Sequence, residues 1–281
     1  GAGKCRARGT RDGKNVPLRY GIISSIALDP IEKKPLRRFY PGSFILSVGS
    51  FGCNLNCPFC QNWEISMTDG GELLRGEESA HTLTPDTLAD MADKLQKRGN
   101  IGVAFTYNEP TICFEYILDT APLLHRKEMK TVLVTNGCVE ESIAEQLLPW
   151  VDALNIDLKS FDPEIYRKTL GGDLDTVKRF IIRSASCCHV ELTSLIVPGM
   201  NDEPEDTDEP SLAWEAITEP KKKQTRSVYE QAERYRRARR TLEVEGPDSP
   251  FAEDAVAELE KLWEEGYIIA AHRLGKTYRD G

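Results

Sequence analysis

Three closely spaced cysteines carry the clearest chemical signal in the sequence. They lie in residues 53–60, which read CNLNCPFC, with three residues between the first two cysteines and two residues before the third. Thiolates are the usual ligands of iron–sulfur clusters, and a loop this short can supply three corners of a four-iron four-sulfur cubane. A cubane with three cysteine ligands leaves one iron open, and an open metal position can bind a substrate directly. The spacing therefore predicts a catalytic cluster on Cys53, Cys57 and Cys60.

The same cysteines could instead bind zinc or lie in an inert surface loop. Zinc sites normally take a fourth Cys or His close by, and His81, the nearest histidine, stands alone in the sequence. The alternatives to an enzyme are therefore a zinc-binding interaction module and a non-enzymatic iron–sulfur electron-transfer protein. A fourth cysteine beside the three would favour such a protein, and the sequence has none there. We expect four other cysteines to pack as small hydrophobic side chains, namely Cys113, Cys138, Cys187 and Cys188.

Short apolar runs that alternate with amphipathic stretches must position the cysteine loop. Five runs predict strands at residues 44–48, 101–106, 131–135, 153–158 and 190–197. The stretches between them predict helices at residues 85–98, 112–126, 140–148 and 174–184. Apolar strands that alternate with helices are typical of a parallel sheet covered by helices. The predicted fold class is therefore α/β, a partial barrel of the TIM type, with its site on the loops that follow the strands.

The chain outside these strands differs in composition and suggests three parts. They are an N-terminal extension at residues 1–43, the partial barrel at residues 44–201 and a charged, mostly helical segment at residues 202–281. Acidic residues without any period predict an exposed linker at residues 202–210. A basic stretch follows and should be helical from about Ser227. A helix and an apolar run at residues 253–271 could add a closing helix–strand unit to the barrel.

The composition excludes several classes of protein. Its 40% hydrophobic and 29% charged residues are those of a folded, soluble chain. The net charge of −9 disfavours a broad phosphate-binding surface, and hence nucleic acid as a partner. No apolar run is long enough to span a bilayer, and residues 1–15 lack the apolar core of a signal peptide. We therefore expect a cytoplasmic protein with no membrane contact.

The longer stretch around the cysteines resembles a known enzyme family. Residues 47–66 (SVGSFGCNLNCPFCQNWEIS), with residues 29–43 (DPIEKKPLRRFYPGS) ahead of them, are similar to the radical SAM enzymes of the AmmeMemoRadiSam system. These enzymes are related to the pyruvate formate-lyase activating enzymes. The resemblance covers about residues 3–202, and residues 211–240 do not resemble the strand with which the family continues.

This resemblance implies both the cofactors and the reaction. A four-iron four-sulfur cluster and S-adenosylmethionine would be the cofactors, and the reduced cluster would cleave S-adenosylmethionine to a 5′-deoxyadenosyl radical. That radical would abstract hydrogen from a substrate, which is a protein in the activating enzymes. A reduced flavodoxin or ferredoxin would supply the electron. The resemblance assigns no further catalytic residue and does not identify the substrate.

A motif after the second predicted strand is implied to hold the methionyl amino group. The family has a Gly-Gly-Glu-type motif at this position, and Tyr107, Asn108 and Glu109 stand there in this chain. A carboxylate at a strand end can pair with the ammonium group of a ligand. The alternative is a surface carboxylate that caps the next helix. Residues 70–72 spell Gly-Gly-Glu literally, but no strand precedes them, and we expect them in a solvent-exposed loop.

Two further turns are implied to contact S-adenosylmethionine. Thr135 and Asn136 follow the third strand and resemble the family's ribose-contacting turn, although the glycine after them could serve only the turn itself. Asp157 and Lys159 belong to an Asp-Leu-Lys match after the fourth strand, and alternation along a strand places both on one face. Lys159 would then neutralise the ligand carboxylate, and Asp157 would accept from the amino group. The alternative is a structural ion pair at the barrel rim.

Overall fold

The structure is a computed structural model that describes residues 3–68, 81–202 and 252–264, together with Arg234, Ala238, Thr241 and Leu242. The chain forms two units, Gly1–Ala213 and Trp214–Gly281. The boundaries expected at residues 43 and 201 stay predictions. Several expectations lie outside the described residues, namely the literal Gly-Gly-Glu at residues 70–72, the linker after Asp202, most of the helix expected from Ser227 and the apolar run at residues 267–271.

One large sheet organises the first unit. The described strands are β1 (Arg8–Arg11), β2 (Lys14–Pro17), β3 (Ile22–Ile23), β4 (Ser25–Pro30), β5 (Phe44–Gly49), β6 (His81–Thr82), β7 (Asn100–Phe105), β8 (Lys130–Thr135), β9 (Ala153–Asp157) and β10 (His189–Thr193). Six of them form the large sheet in the order β10-β9-β8-β7-β5-β4. Its strands run parallel except for β4, which pairs antiparallel with β5. The parallel sheet confirms the predicted α/β class.

Helices follow the parallel strands, and their first residues explain where they begin. They are α1 (Trp63–Ser66), α2 (Pro85–Lys94), α3 (Phe114–His125), α4 (Glu141–Leu147) and α5 (Leu174–Cys187), with a π-helix at Ile165–Leu170. The Thr84 hydroxyl accepts from the N–H of Thr87 at 3.2 Å and caps α2. The Asp173 carboxylate accepts from the N–H of Thr176 at 2.8 Å and caps α5. Helices α2 and α3 pack on β7 and β8.

The last strand of the sheet is shorter than the sequence predicts. The apolar run extends to residue 197, but β10 ends at Thr193. The Asn201 side chain explains the difference, because it accepts from the N–H of Val197 at 2.6 Å and donates to the carbonyl of Leu195 at 2.9 Å. These bonds fold the end of the run into a loop. The other four predicted strands agree with β5, β7, β8 and β9 to within one residue at each end.

Residues 31–39, here called the crossing segment, run over one face of the large sheet. Ile31 and Leu36 are fully buried and pack in one cluster with four strand residues, Ile45, Ala104, Val132 and Ala153. Two backbone N–H groups near the end of the segment donate to the Glu191 carboxylate on β10, at 2.9 and 2.8 Å. The segment therefore contacts strands from β5 to β10 and supplies part of the core of the first unit.

The second unit contains the helix α6 (Ala252–Glu264). Leu259 is fully buried in a small apolar cluster with four alanine and leucine residues, Ala238, Leu242, Ala252 and Ala255. Val256 packs against the same cluster, and Arg234 forms an ion pair with Glu258. The helix expected within residues 253–271 is therefore present as α6. In the parts of the chain that the structure describes, no helix is both long enough and apolar enough to cross a bilayer.

Candidate cofactor site

The three cysteines lie on the loop between β5 and α1, and each has a free thiol of intermediate exposure. Leu55, in the middle of this loop, is fully buried, and its N–H donates to Cys53 Sγ at 3.4 Å. The N–H of Cys60 donates to the carbonyl of Cys57 at 3.2 Å, so the second gap between the cysteines is a turn. The apolar centre thus anchors the loop, and the three sulfur atoms stay partly accessible.

The donor set of this loop fits a four-iron four-sulfur cluster. Among the described residues, no three His, Cys, Asp or Glu side chains are arranged to hold a metal ion. A cubane does not need such convergence, because its cysteine ligands bind different iron atoms. Burial raises the pKa of Cys53 to about 12 and also raises the pKa of Cys57. Both thiols are therefore protonated at neutral pH without metal, and binding of iron would release their protons.

Glu109 lies at the end of β7 with only 2% of its surface exposed. Its carboxylate accepts four hydrogen bonds, from the N–H and hydroxyl of Thr111 at 3.0 and 2.6 Å, the hydroxyl of Thr135 at 2.8 Å and the N–H of Asn136 at 2.8 Å. Burial raises the pKa of Glu109, and these bonds oppose the rise. Glu109 caps the short 3-10 helix Pro110–Cys113. It is buried, however, and is therefore not the surface carboxylate that was the alternative to a ligand-binding role.

Asn136 connects this carboxylate to the cysteine loop. Its backbone donates to Glu109, while its side-chain amide lies 3.7 Å from Cys53 Sγ and donates to Asn54 Oδ1 at 2.8 Å. The ends of β7 and β8 and the loop after β5 therefore meet at one edge of the sheet. Glu109, Thr135, Asn136 and Cys53, which belong to three separate stretches of the sequence, are brought together there.

Tyr107 and Asn108 precede Glu109 and face different surroundings. The Asn108 side chain accepts from the N–H of Ser50 at 2.9 Å and donates to the carbonyl of Gly52 at 3.0 Å. Asn108 thereby fastens the turn to the residues just before Cys53. The Tyr107 side chain instead donates through its hydroxyl to Asp29 Oδ2 at 2.8 Å. Only the backbone of Tyr107 reaches the region of the cysteines.

Asp157, the last residue of β9, and Lys159, two residues later, are paired with each other. The Lys159 ammonium donates to Asp157 Oδ2, and Asp157 Oδ1 is buried without a hydrogen-bond partner. Burial disfavours the charged form of Lys159, but Asp157 outweighs this effect and raises the pKa of Lys159. The charge of Lys159 in turn opposes the rise that burial causes in the pKa of Cys57. This pairing agrees with the alternative of a structural ion pair at the barrel rim. The roles of Asp157 and Lys159 in ligand binding stay predictions.

Two asparagines that were not predicted from the sequence as site residues connect the cysteine loop to its surroundings. The Asn54 amide donates to the carbonyl of Cys138 at 2.8 Å, and the Asn62 amide donates to the carbonyl of Tyr107 at 2.8 Å. The available signal was their position, because both lie within or directly after the cysteine stretch. An amide side chain offers a donor and an acceptor and can bridge two backbone segments.

Comparison with known proteins gives one family match and several relatives. The radical SAM superfamily model matches residues 47–209. An uncharacterized protein of Methanocaldococcus jannaschii is 36% identical over 207 residues, which are 73% of this chain and 58% of that protein. A probable GTP 3′,8-cyclase of Methanosarcina mazei is 31% identical over 158 residues, 53% of this chain and 44% of that protein. The chain thus spans about half the length of these curated relatives.

Solved structures show more distant similarity. TYW1 with a lysine-pyruvate adduct bound has a TM-score of 0.46 and 17% identity, over 68% of this chain and 71% of that one. SuiB of Streptococcus suis bound to S-adenosylmethionine has a TM-score of 0.45 and 15% identity, over 60% of this chain and 39% of that one. Similarity at this level carries no inference about substrate or ligand geometry.

Proposed function

The chain belongs to the radical SAM superfamily of enzymes, and from this premise we propose that it abstracts hydrogen from an organic substrate at the cysteine loop. The superfamily has a partial barrel of the TIM type and uses a four-iron four-sulfur cluster and S-adenosylmethionine. When bound, these cofactors together supply a carbon-centred radical that removes a hydrogen atom. In this proposal Cys53, Cys57 and Cys60 hold the cluster.

One observation supports this proposal most directly. The Asn136 backbone N–H donates to the Glu109 carboxylate, and the Asn136 side-chain amide contacts Cys53 Sγ, so that a buried carboxylate lies beside the cysteine loop. Both lie where parallel strands end, which is where barrel enzymes of this type carry their sites. A carboxylate next to an open iron is suited to a ligand that binds iron and also carries an ammonium group.

The residues around the loop would then divide the binding of S-adenosylmethionine. Glu109 accepts from the methionyl ammonium, and its bonds to Thr135 and Asn136 fix the direction of its oxygens. Lys159 neutralises the methionyl carboxylate, and the unpartnered Asp157 Oδ1 accepts from the amino group. The turn at Thr135 and Asn136 lies beside these groups and contacts the ribose.

For the substrate we propose a protein, in a reaction of the activating-enzyme type. Its support is the resemblance of residues 29–43 and 47–66 to the branch related to pyruvate formate-lyase activating enzymes. The required electron would come from a reduced flavodoxin or ferredoxin. The chain spans only about half the length of its relatives. The proposal of a protein substrate therefore rests on the sequence around the cysteine loop and not on those relatives.

Anaerobic reconstitution with iron and sulfide tests the proposed function. The protein should turn brown, bind about four irons per chain and, with dithionite as reductant, convert S-adenosylmethionine to 5′-deoxyadenosine. The same preparation of a Cys57→Ala variant is the control for background cleavage. Stoichiometric binding of zinc with no uptake of iron would instead support the zinc-binding interaction module.

A further inference from the structure

A buried group of polar side chains lies behind the turn that carries Glu109. The Lys34 ammonium is 2.9 Å from Asp29 Oδ2, and the hydroxyl of Tyr107 donates to the same oxygen at 2.8 Å. The Lys34 ammonium also lies over the ring of Tyr107, 4.4 Å from its centroid. Lys34 and Asp29 are only 3% and 7% exposed. These residues come from the end of β4 and the crossing segment, and the proposed chemistry does not use them.

The backbone of Tyr107 needs to be held in place. Its φ angle is +74°, in the left-handed region that side chains other than glycine rarely occupy. Such a conformation persists only where surrounding contacts enforce it. The ring fits because Gly49 lies against it, and a Cβ atom on Gly49 would stand 2.8 Å from Tyr107 Cδ2. The hydrogen bond to Asp29 and the contact of the Lys34 ammonium with the ring therefore hold the side chain of this strained residue.

The strained residue lies directly between this buried group and the cofactor site. The carbonyl of Tyr107 accepts from the Asn62 amide at 2.8 Å, just after the last cysteine of the loop. The next residue, Asn108, holds Ser50 and Gly52 before the first cysteine. Glu109 then directs its carboxylate into the site. A rotation of Tyr107 would therefore move both ends of the cysteine loop and the Glu109 carboxylate.

We propose that Asp29 and Lys34 are positioning residues for S-adenosylmethionine binding, which they control by holding Tyr107 and thereby the turn that carries Glu109. A buried ion pair adds little net stability, because desolvation of both charges offsets their attraction. Its physical effect here is directional, since the Asp29 oxygen and the Lys34 ammonium both contact the Tyr107 side chain and oppose its rotation. The part that concerns S-adenosylmethionine rests on the proposed function, and the positioning of the turn does not.

Hydrogen–deuterium exchange on the metal-free full chain tests the positioning step. Tyr107→Phe removes only the hydroxyl that bonds to Asp29, and Lys34→Met removes the ammonium while keeping a similar length. Both should speed exchange of the Asn108 and Glu109 amides about tenfold, the loss expected for one bond to a charged group. Exchange in α5 should not change. Lys130→Met, which breaks the 2.9 Å ion pair to Asp152 elsewhere in the sheet, should leave the turn as in the parent.

Equilibrium binding of S-adenosylmethionine to the reconstituted chain tests the consequence. Tyr107→Phe should raise the Kd about tenfold while the iron content stays at that of the parent. Unchanged exchange at the turn, or unchanged Kd with faster exchange, would overturn the positioning role. If Lys34→Met does not fold, Tyr107→Phe decides alone. If the parent chain takes up no iron, the proposed function fails, whereas the exchange result still decides whether Asp29 and Lys34 hold the turn.

Discussion

The three cysteines of the loop differ from the other cysteines in what surrounds them. They share one loop, in which the backbone N–H of Leu55 donates to Cys53 Sγ. In contrast, Cys113 is buried at the end of a 3-10 helix, and Cys187 lies at the end of α5. A cluster with one open iron needs all three remaining ligands. Individual replacement of the loop cysteines by alanine should therefore abolish uptake of iron, measured by iron analysis and visible absorption.

The matched controls for that experiment are four cysteines that are not part of the loop. Cys113, Cys138, Cys187 and Cys188, each replaced by alanine, should leave uptake at about four irons per chain. Loss of the cluster in any of these variants would show that the ligand set is wrong. A Cys60→Ala variant that still takes up about four irons would show that Cys60 is not a ligand of the cluster.

Charge at the cofactor site leads to a second residue-level prediction. Glu109→Ala or Lys159→Ala should weaken binding of S-adenosylmethionine about ten- to a hundredfold, because a bond to a charged group contributes about 1.5–3 kcal/mol. Calorimetric titration of the reconstituted protein measures this change, and the iron content should not fall. Glu72→Ala, in the literal Gly-Gly-Glu, should bind as the parent does. If all three variants bind S-adenosylmethionine as tightly as the parent, Glu109 and Lys159 do not contact it.

At the scale of elements, the pairing of β7 with β8 depends on one glycine. Gly102 faces Lys130 across the two strands, and a Cβ atom at Gly102 would stand 2.0 Å from the Lys130 carbonyl oxygen. That atom belongs to the backbone, so the strands must separate to admit a methyl group. Gly102→Ala should lower the free energy of unfolding by about 1–3 kcal/mol, the usual cost of overpacking.

Urea denaturation followed by circular dichroism measures the effect of this substitution. Gly3→Ala is the matched control, because its Cβ atom would meet its nearest neighbour, the Arg8 carbonyl oxygen, at an ordinary 3.6 Å. It should unfold at the urea concentration of the parent. A Gly102→Ala variant as stable as the parent would mean that β7 and β8 are not as closely paired as the structure shows.

Much of the parallel sheet could be predicted from the sequence, because a buried parallel strand is a continuous apolar run. β8 reads KTVLVT and β9 reads ALNID, and both are apolar enough to identify without a partner. β4, SIALDP, was missed because its identity as a strand depends on antiparallel pairing with β5. The end of β10 was misjudged because a side chain outside the run, Asn201, decides it.

The candidate site was predictable to a similar degree and for a related reason. Glu109, Asn136 and the cysteines follow strands and match family motifs, so position along the chain identifies them. The side chains that hold them were not identified, because their contacts join residues far apart in sequence. Asn54 reaches Cys138 across 84 positions, and Tyr107 reaches Asp29 across 78. No local pattern encodes such a pair.

At the scale of the whole molecule, the proposed cofactor contacts all lie in the first unit. We expect a chain that ends at Ala213, the boundary between the two units, to take up about four irons on reconstitution. β10 lies at one edge of the described sheet, and an unpaired edge strand favours association, so the truncated chain should also associate in solution. The truncation must keep Asn201, which is buried and donates to the carbonyl of Lys159 at 2.7 Å.

Iron analysis and light scattering on the truncated chain measure both effects. The full-length chain, reconstituted in parallel, is the control. If the truncated chain is unfolded and takes up no iron, the first unit cannot hold the cluster without the C-terminal segment. That result would favour the closing helix–strand unit expected at residues 253–271, whose helical part coincides with α6.

The crossing segment has a consequence for how the protein is made in the cell. Its backbone bonds to Glu191 span 153 and 154 positions of the chain, so the ribosome must add that many residues before the contact can form. At about 5–20 residues per second, this takes roughly 8 to 30 seconds. For most of that time, until Ala153 on β9 has been added, Ile31 and Leu36, both 0% exposed in the finished fold, lack part of the apolar cluster that covers them. The nascent chain should therefore present a binding site for chaperones until β9 has been synthesised.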